Sequence, residues 1–162
     1  MSDTLSFRTK AALIEALRRA RQQLEAQLSP LLDASPPHAA AWKAVAEQAI
    51  RVTQVVTALF QLERGVAATI ERPFTISADA IAEQRARPPE RLLADFRNAH
   101  HQLVRRLEAW HDESALFDAR RFAALRGQSL AGWIWEKVGA TDVALAKQLG
   151  ASGATENDQA TE

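Results

Sequence analysis

Residues 88–110 read Pro88-Pro89-Glu90-Arg91-Leu92-Leu93-Ala94-Asp95-Phe96-Arg97-Asn98-Ala99-His100-His101-Gln102-Leu103-Val104-Arg105-Arg106-Leu107-Glu108-Ala109-Trp110. Leu93, Phe96, His100, Leu103, Leu107 and Trp110 recur at threes and fours, which is the period of one helix face. Two prolines and a glutamate open the stretch, where a helix tolerates a missing N–H and favours negative charge. The spacing predicts a long helix with a histidine on its apolar side.

The same period recurs in three other segments. After Thr9, a plausible N-cap, come Leu13, Leu17, Ala20, Leu24, Leu28 and Leu31, with Ser29-Pro30 expected to bend or end that helix. A second segment opens at Ser35-Pro36-Pro37, carries Trp42, Val45, Ala49, Val52, Val56 and Leu59, and stops at Arg64-Gly65. The last starts at Gln128-Ser129, carries Leu130, Ile134, Val138, Thr141, Leu145 and Leu149, and is expected to close at Gly150. The fold class is all-α: a single four-helix bundle of residues 1–150 followed by a disordered, polar tail, 151–162. The short link between the first two helices predicts antiparallel neighbours. Residues 66–87 form a long crossover that lets helices two and three run parallel; Arg72-Pro73-Phe74 reads as extended, and Ser77 to Arg87 as a short helix. A second long link, 112–127, has Leu116-Phe117 and Phe122 to tuck in.

Composition narrows function mainly by exclusion. Lys plus Arg and Asp plus Glu both total 20 in 162 residues, so no net field steers the chain onto nucleic acid or an anionic membrane. There is no cysteine for disulfides, thiolate chemistry or metal ligation. The N-terminus lacks the layout of a signal peptide and no apolar run could span a bilayer, so a cytoplasmic location is expected. The lack of tyrosine and the wealth of Ala and Arg suggest a GC-rich bacterial genome. The arginine-rich pieces are spread along the chain beside acids, as on a solvated surface, the alternative being an anion site.

Four histidines, His38, His100, His101 and His111, are the scarcest reactive groups. His100 and His111 share the apolar face of helix three but lie about 16 Å apart along it, too far to share a metal. His100 reads either as a general base in the core or as a neutral core histidine with one hydrogen-bond partner. In the last helix Trp133 and Trp135 straddle the stripe, and Asp142 follows Trp135 two turns on. That reads either as an aromatic-walled pocket with a carboxylate at its edge, or as boundary packing. Gly132 and Gly139 share a face, where they allow a helix or a second subunit to approach closely, or are tolerated costs of roughly 1 kcal/mol each. No phosphate-binding glycine loop, HExxH or nucleophile elbow is present.

The opening Thr9-Lys10-Ala11-Ala12-Leu13-Ile14-Glu15-Ala16-Leu17, the stretch from Ile81 to Arg97, Ala99-His100-His101-Gln102-Leu103-Val104, and Ser129-Leu130-Ala131-Gly132-Trp133-Ile134 resemble ClbS/DfsB-type proteins of the DinB-like superfamily. The resemblance implies a four-helix bundle with a long second connection. Many members of that superfamily bind a divalent metal through one histidine on the second helix and two on the last. This chain has no histidine from 39 to 99 or from 112 to 162, so the branch that does not rely on that triad is the better comparison, and neither a metal nor another cofactor is expected. Some members of that branch are linked to self-protection by modifying a reactive small molecule. The reading is thus a metal-independent bundle that binds or modifies a small reactive or apolar molecule, by hydrolysis or thiol transfer if it is an enzyme. His100 and Asp142 are the candidate catalytic residues, and Trp42, Trp133, Trp135 and Thr141 the candidate ligand-binding residues. The alternative is a non-catalytic bundle serving homodimerisation or partner binding.

Overall fold

Thr9 starts the first helix as its spacing predicts: its side chain accepts the Ala12 N–H, satisfying one of the free donors of the first turn. The structure, a computed structural model, describes residues 8–66 and 76–160. Among these residues every regular element is helical. Helix α1 is Lys10–Asp33, α2 Ala39–Glu63, α3 Ala78–Arg85, α4 Pro89–Ala109 and α5 Glu113–Phe117. A 3₁₀ turn, Ala123–Leu125, leads to α6, Leu130–Ile134, which passes through a π-helical turn, Trp135–Gly139, into α7, Ala140–Ala160. The expected extended segment Arg72-Pro73-Phe74 lies outside the described residues, whereas Ser77 caps α3 where a short helix was expected. No helix among the described residues is long and apolar enough to cross a membrane.

Three boundaries differ from the sequence expectation. Pro30 does not end α1, which runs on to Asp33. The proline forfeits one backbone bond in the last turn, and buried Leu28 and Leu32 on either side hold that turn by packing. The cap of α2 is His38 rather than Ser35, with Nδ1 accepting the Ala41 N–H at 3.4 Å. The last helix does not close at Gly150 but continues to Ala160. Gly150 lacks the positive φ of a glycine stop, and its neighbour Leu149 is buried.

Two core clusters fix the helix directions. In one, Leu13 and Leu17 of α1 meet Val52 to Leu59 of α2, Leu103 and Leu107 of α4, and Leu130 to Val138. In the other, Leu24 to Leu32 of α1 meet Ala41 to Ala49 of α2, Leu92 and Phe96 of α4, and Leu149. The early halves of α2 and α4 therefore pack together, as do their late halves, so these two run parallel. Helix α1 runs against both and parallel to α7, its most extensive partner. Arg97–Glu25 and Arg18–Glu108 pairs between α4 and α1 follow the same antiparallel order. Phe96 is fully buried in the second cluster and stacks edge-on against His100, ring centroids 4.8 Å apart. We expect Phe96→Ala to cost about 3–5 kcal/mol in urea unfolding, since the cavity left between three helices cannot collapse freely.

Candidate functional site

A buried polar group on a helix is tolerated only where something answers it. Gln48, His100 and Asp142 are the buried polar or charged residues among those described, and they meet in one place. Gln48 lies on the core face of α2 between Val45 and Val52, His100 on that of α4 between Phe96 and Leu103. Asp142 lies in the first turn of α7.

The π turn brings Asp142 inward. At 100° per residue, the twelve residues from Leu130 to Asp142 would leave the aspartate about 120° around the helix from the buried stripe. One extra residue in a π turn takes back about 100°, so Leu130, Ile134, Val138 and Asp142 all face the core. Thr141, which straight α geometry places on the stripe, is displaced to the boundary. Its hydroxyl donates to the Glu136 carbonyl at 3.1 Å, a carbonyl at the π turn. Gly139 is explained within the chain: a Cβ there would lie 2.1 Å from Cε3 of Trp135, so the glycine makes room for an indole rather than for a second subunit.

His100 Nε2 lies 2.9 Å from Asp142 Oδ2, with side chains 2% and 0% exposed. The contact is close enough for an ion pair, but the ring N–H direction falls off the line to the oxygen, so it is not an aligned hydrogen bond. The other carboxylate oxygen, Oδ1, accepts from Gln48 Nε2 at 2.6 Å, and the same amide donates to the Val138 carbonyl at 3.3 Å. Gln48 Oε1 accepts from Arg51 at 2.6 Å, which fixes the amide orientation: both neighbours of its nitrogen are acceptors and the neighbour of its oxygen is a donor. The chain of contacts therefore runs from a half-buried guanidinium through an amide to a carboxylate and an imidazole.

This arrangement can hold an imidazole in one orientation and stabilise positive charge on it, as a carboxylate does behind a catalytic histidine. It offers little to a metal. The amide oxygen is engaged by a cation, which leaves only one imidazole and one carboxylate, and among the described residues no group of three or more His, Cys, Asp or Glu side chains could hold an ion. His100 also edges a surface groove of about 350 Å³ between α1 and α4, with Arg18, Arg21, Arg97, Asn98, His101 and Val104.

Of the six candidate residues, the structure brings His100 and Asp142 together and places the other four elsewhere. Trp133 is buried in the cluster around α1 and α2, and Trp135 lies half-buried over Gly139 beside Ala12, Ala16 and Ala20 of α1. Two residues apart on a helix, the indoles point to opposite flanks and serve separate packing contacts. Trp42 packs in the other cluster, with the Arg85 guanidinium 5.9 Å from its ring and its Nε1 buried without a hydrogen-bond partner. None of the tryptophans lines the groove at His100.

Gln48 and Arg51 were not singled out from sequence. A glutamine at threes and fours from Val45 and Val52 was a legible signal of a polar group on a core face; Arg51, on the next face, carried none. The remaining histidines have other places: His38 caps α2, His101 is exposed in the groove, and His111 is exposed near Trp110. Asp112 caps α5, and the Ser114 hydroxyl, then the Ala115 N–H, hold its carboxyl below the usual carboxylate range. Comparison with protein-family models, with curated proteins and with solved structures finds no match for the chain.

Proposed function

We propose that the chain is a DinB-like four-helix bundle of the ClbS/DfsB type that binds or modifies a small reactive molecule at the groove edge of His100. The sequence resemblance supports the family. Four long helices with α2 and α4 parallel support the bundle with a long crossover between its second and third helices. The observation that carries the functional reading is the buried His100–Asp142 contact on the wall of an open groove. With Asp142 at Nε2, the imidazole has Nδ1 left for proton transfer. Hydrolysis of an electrophile fits best: water adds to the electrophilic centre while the imidazole takes the water proton, and the imidazolium returns that proton to the leaving atom as its bond to the centre breaks. The molecule is held at the surface, since the tryptophans expected to wall an apolar pocket are used in packing.

The test is a panel of small electrophiles incubated with the protein and followed by mass spectrometry. A positioned base contributes about 10²–10⁴-fold, so at least one compound should be hydrolysed that much faster by the wild type than by His100→Gln. No compound hydrolysed faster by the wild type than by the variant contradicts the reading.

The non-catalytic alternative is favoured by one observation: the same polar cluster joins α2, α4 and α7, as a structural lock would. In that case His100→Gln alters stability and leaves partner or self-association untouched.

A further inference from the structure

The groove at His100 is unlike the rest of this neutral surface. We propose that it takes the anionic end of a small molecule, a dianion of the phosphate-monoester type. The proposal rests on the reading of His100 as the working edge of the groove and adds the class of ligand.

Three guanidiniums from two helices line the groove, together with the Asn98 amide and the imidazoles of His100 and His101; no carboxylate lines it. Arg18 and Arg21 stand one turn apart on α1, and Arg97 and His101 one turn apart on α4. Because the two helices run in opposite directions, these residues face one another across the groove. Arg21 and Arg97 already converge on a single oxyanion: the Glu25 carboxylate lies 2.8 Å from Arg21 and 3.1 Å from Arg97. Arg18 reaches Glu108 at 3.5 Å. Three guanidiniums thus face two carboxylates, which leaves one positive charge uncompensated where the chain as a whole is neutral. Each guanidinium carries five donors in a planar fork, and one shared carboxylate cannot occupy them all. Arg18 and Arg97 side chains are about half exposed, so their remaining donors are open to a ligand. A phosphate-monoester end presents three terminal oxygens, one more than a carboxylate, and can accept from all three forks at once. A molecule held there by its anionic end would lie against the edge of His100, the buried imidazole of the lining.

The probe is inorganic phosphate at neutral pH and low ionic strength, with acetate as the monoanion control, titrated into labelled protein and followed by NMR at the arginine Nε and imidazole signals. The expected result is saturable millimolar binding of phosphate, weaker binding of acetate, and about tenfold loss of phosphate affinity in Arg18→Gln/Arg97→Gln. Circular dichroism should show that variant folded, since both side chains lie at the surface. Shifts that never saturate, or a phosphate affinity unchanged in the double variant, overturn the proposal. His100→Leu/Asp142→Leu separates the two readings. Phosphate binding retained there supports the groove as an anion site standing on the arginines alone, whatever the electrophile panel shows of His100. Phosphate binding lost there, with the arginines intact and the fold preserved, overturns the groove as described.

Discussion

His100→Leu is expected to cost about 3–5 kcal/mol, because it leaves the Asp142 carboxylate buried without its imidazole. The Gln48 amide still donates to Oδ1, but nothing takes the place of the imidazole at Oδ2. Asp142→Leu is expected to cost a similar amount from the other side, since it leaves one N–H of Gln48 Nε2 unmatched as well as the imidazole. In a chain of this length such a loss lowers Tm by roughly 6–20 °C. His100→Leu/Asp142→Leu should recover most of it, because replacing both members of a buried pair by apolar groups is often neutral or stabilising. Urea unfolding of the four proteins, with intrinsic fluorescence as the probe, measures all of this at once.

Gly139→Ala is expected to destabilise, although alanine is the better helix former by about 1 kcal/mol. The added methyl would sit 2.1 and 2.2 Å from two carbons of the Trp135 ring, closer than any real contact. An indole is rigid, so the ring has to leave its place or the π turn has to rearrange. Overpacking of this kind costs about 1–3 kcal/mol, and displacement of the half-buried indole adds to it. The net loss should be about 2 kcal/mol, with a red shift of tryptophan emission as Trp135 enters water. A rearranged turn would also rotate Asp142 away from His100, so the cost of His100→Leu should shrink in this background. A variant more stable than the wild type by about 1 kcal/mol would mean that Gly139 is a tolerated defect and that Trp135 lies elsewhere.

Helix periodicity made the all-helical class and most helix starts legible in the sequence, and the length of the 66–87 connection allowed α2 and α4 to run parallel. Thr9, Ser77 and Ser129 cap helices where their spacing placed them, because capping is a local effect of one side chain on one N–H. Pro30 and Gly150 misled because buried leucines beside them outweigh a local breaker. The candidate site was half legible. His100 could be found by its place on an apolar face, and Asp142 as a carboxylate two turns on from Trp135. Their contact could not be found, since it depends on one residue's worth of rotation in the π turn, and straight α geometry pointed to Thr141 instead. The tryptophans drew the eye as pocket walls, yet a large aromatic side chain near a core is used for packing whether or not a site lies beside it.

The account stands on the His100–Asp142 pair acting as one unit placed by the π turn. The most direct test is the coupling energy between His100→Leu and Asp142→Leu in a double-mutant cycle, from urea unfolding with the m-value checked for each protein. A coupling of about 4 kcal/mol or more is expected, since each single loss is about 3–5 kcal/mol and the double variant recovers most of it. Additivity within about 0.5 kcal/mol, as for sites that do not touch, would contradict it.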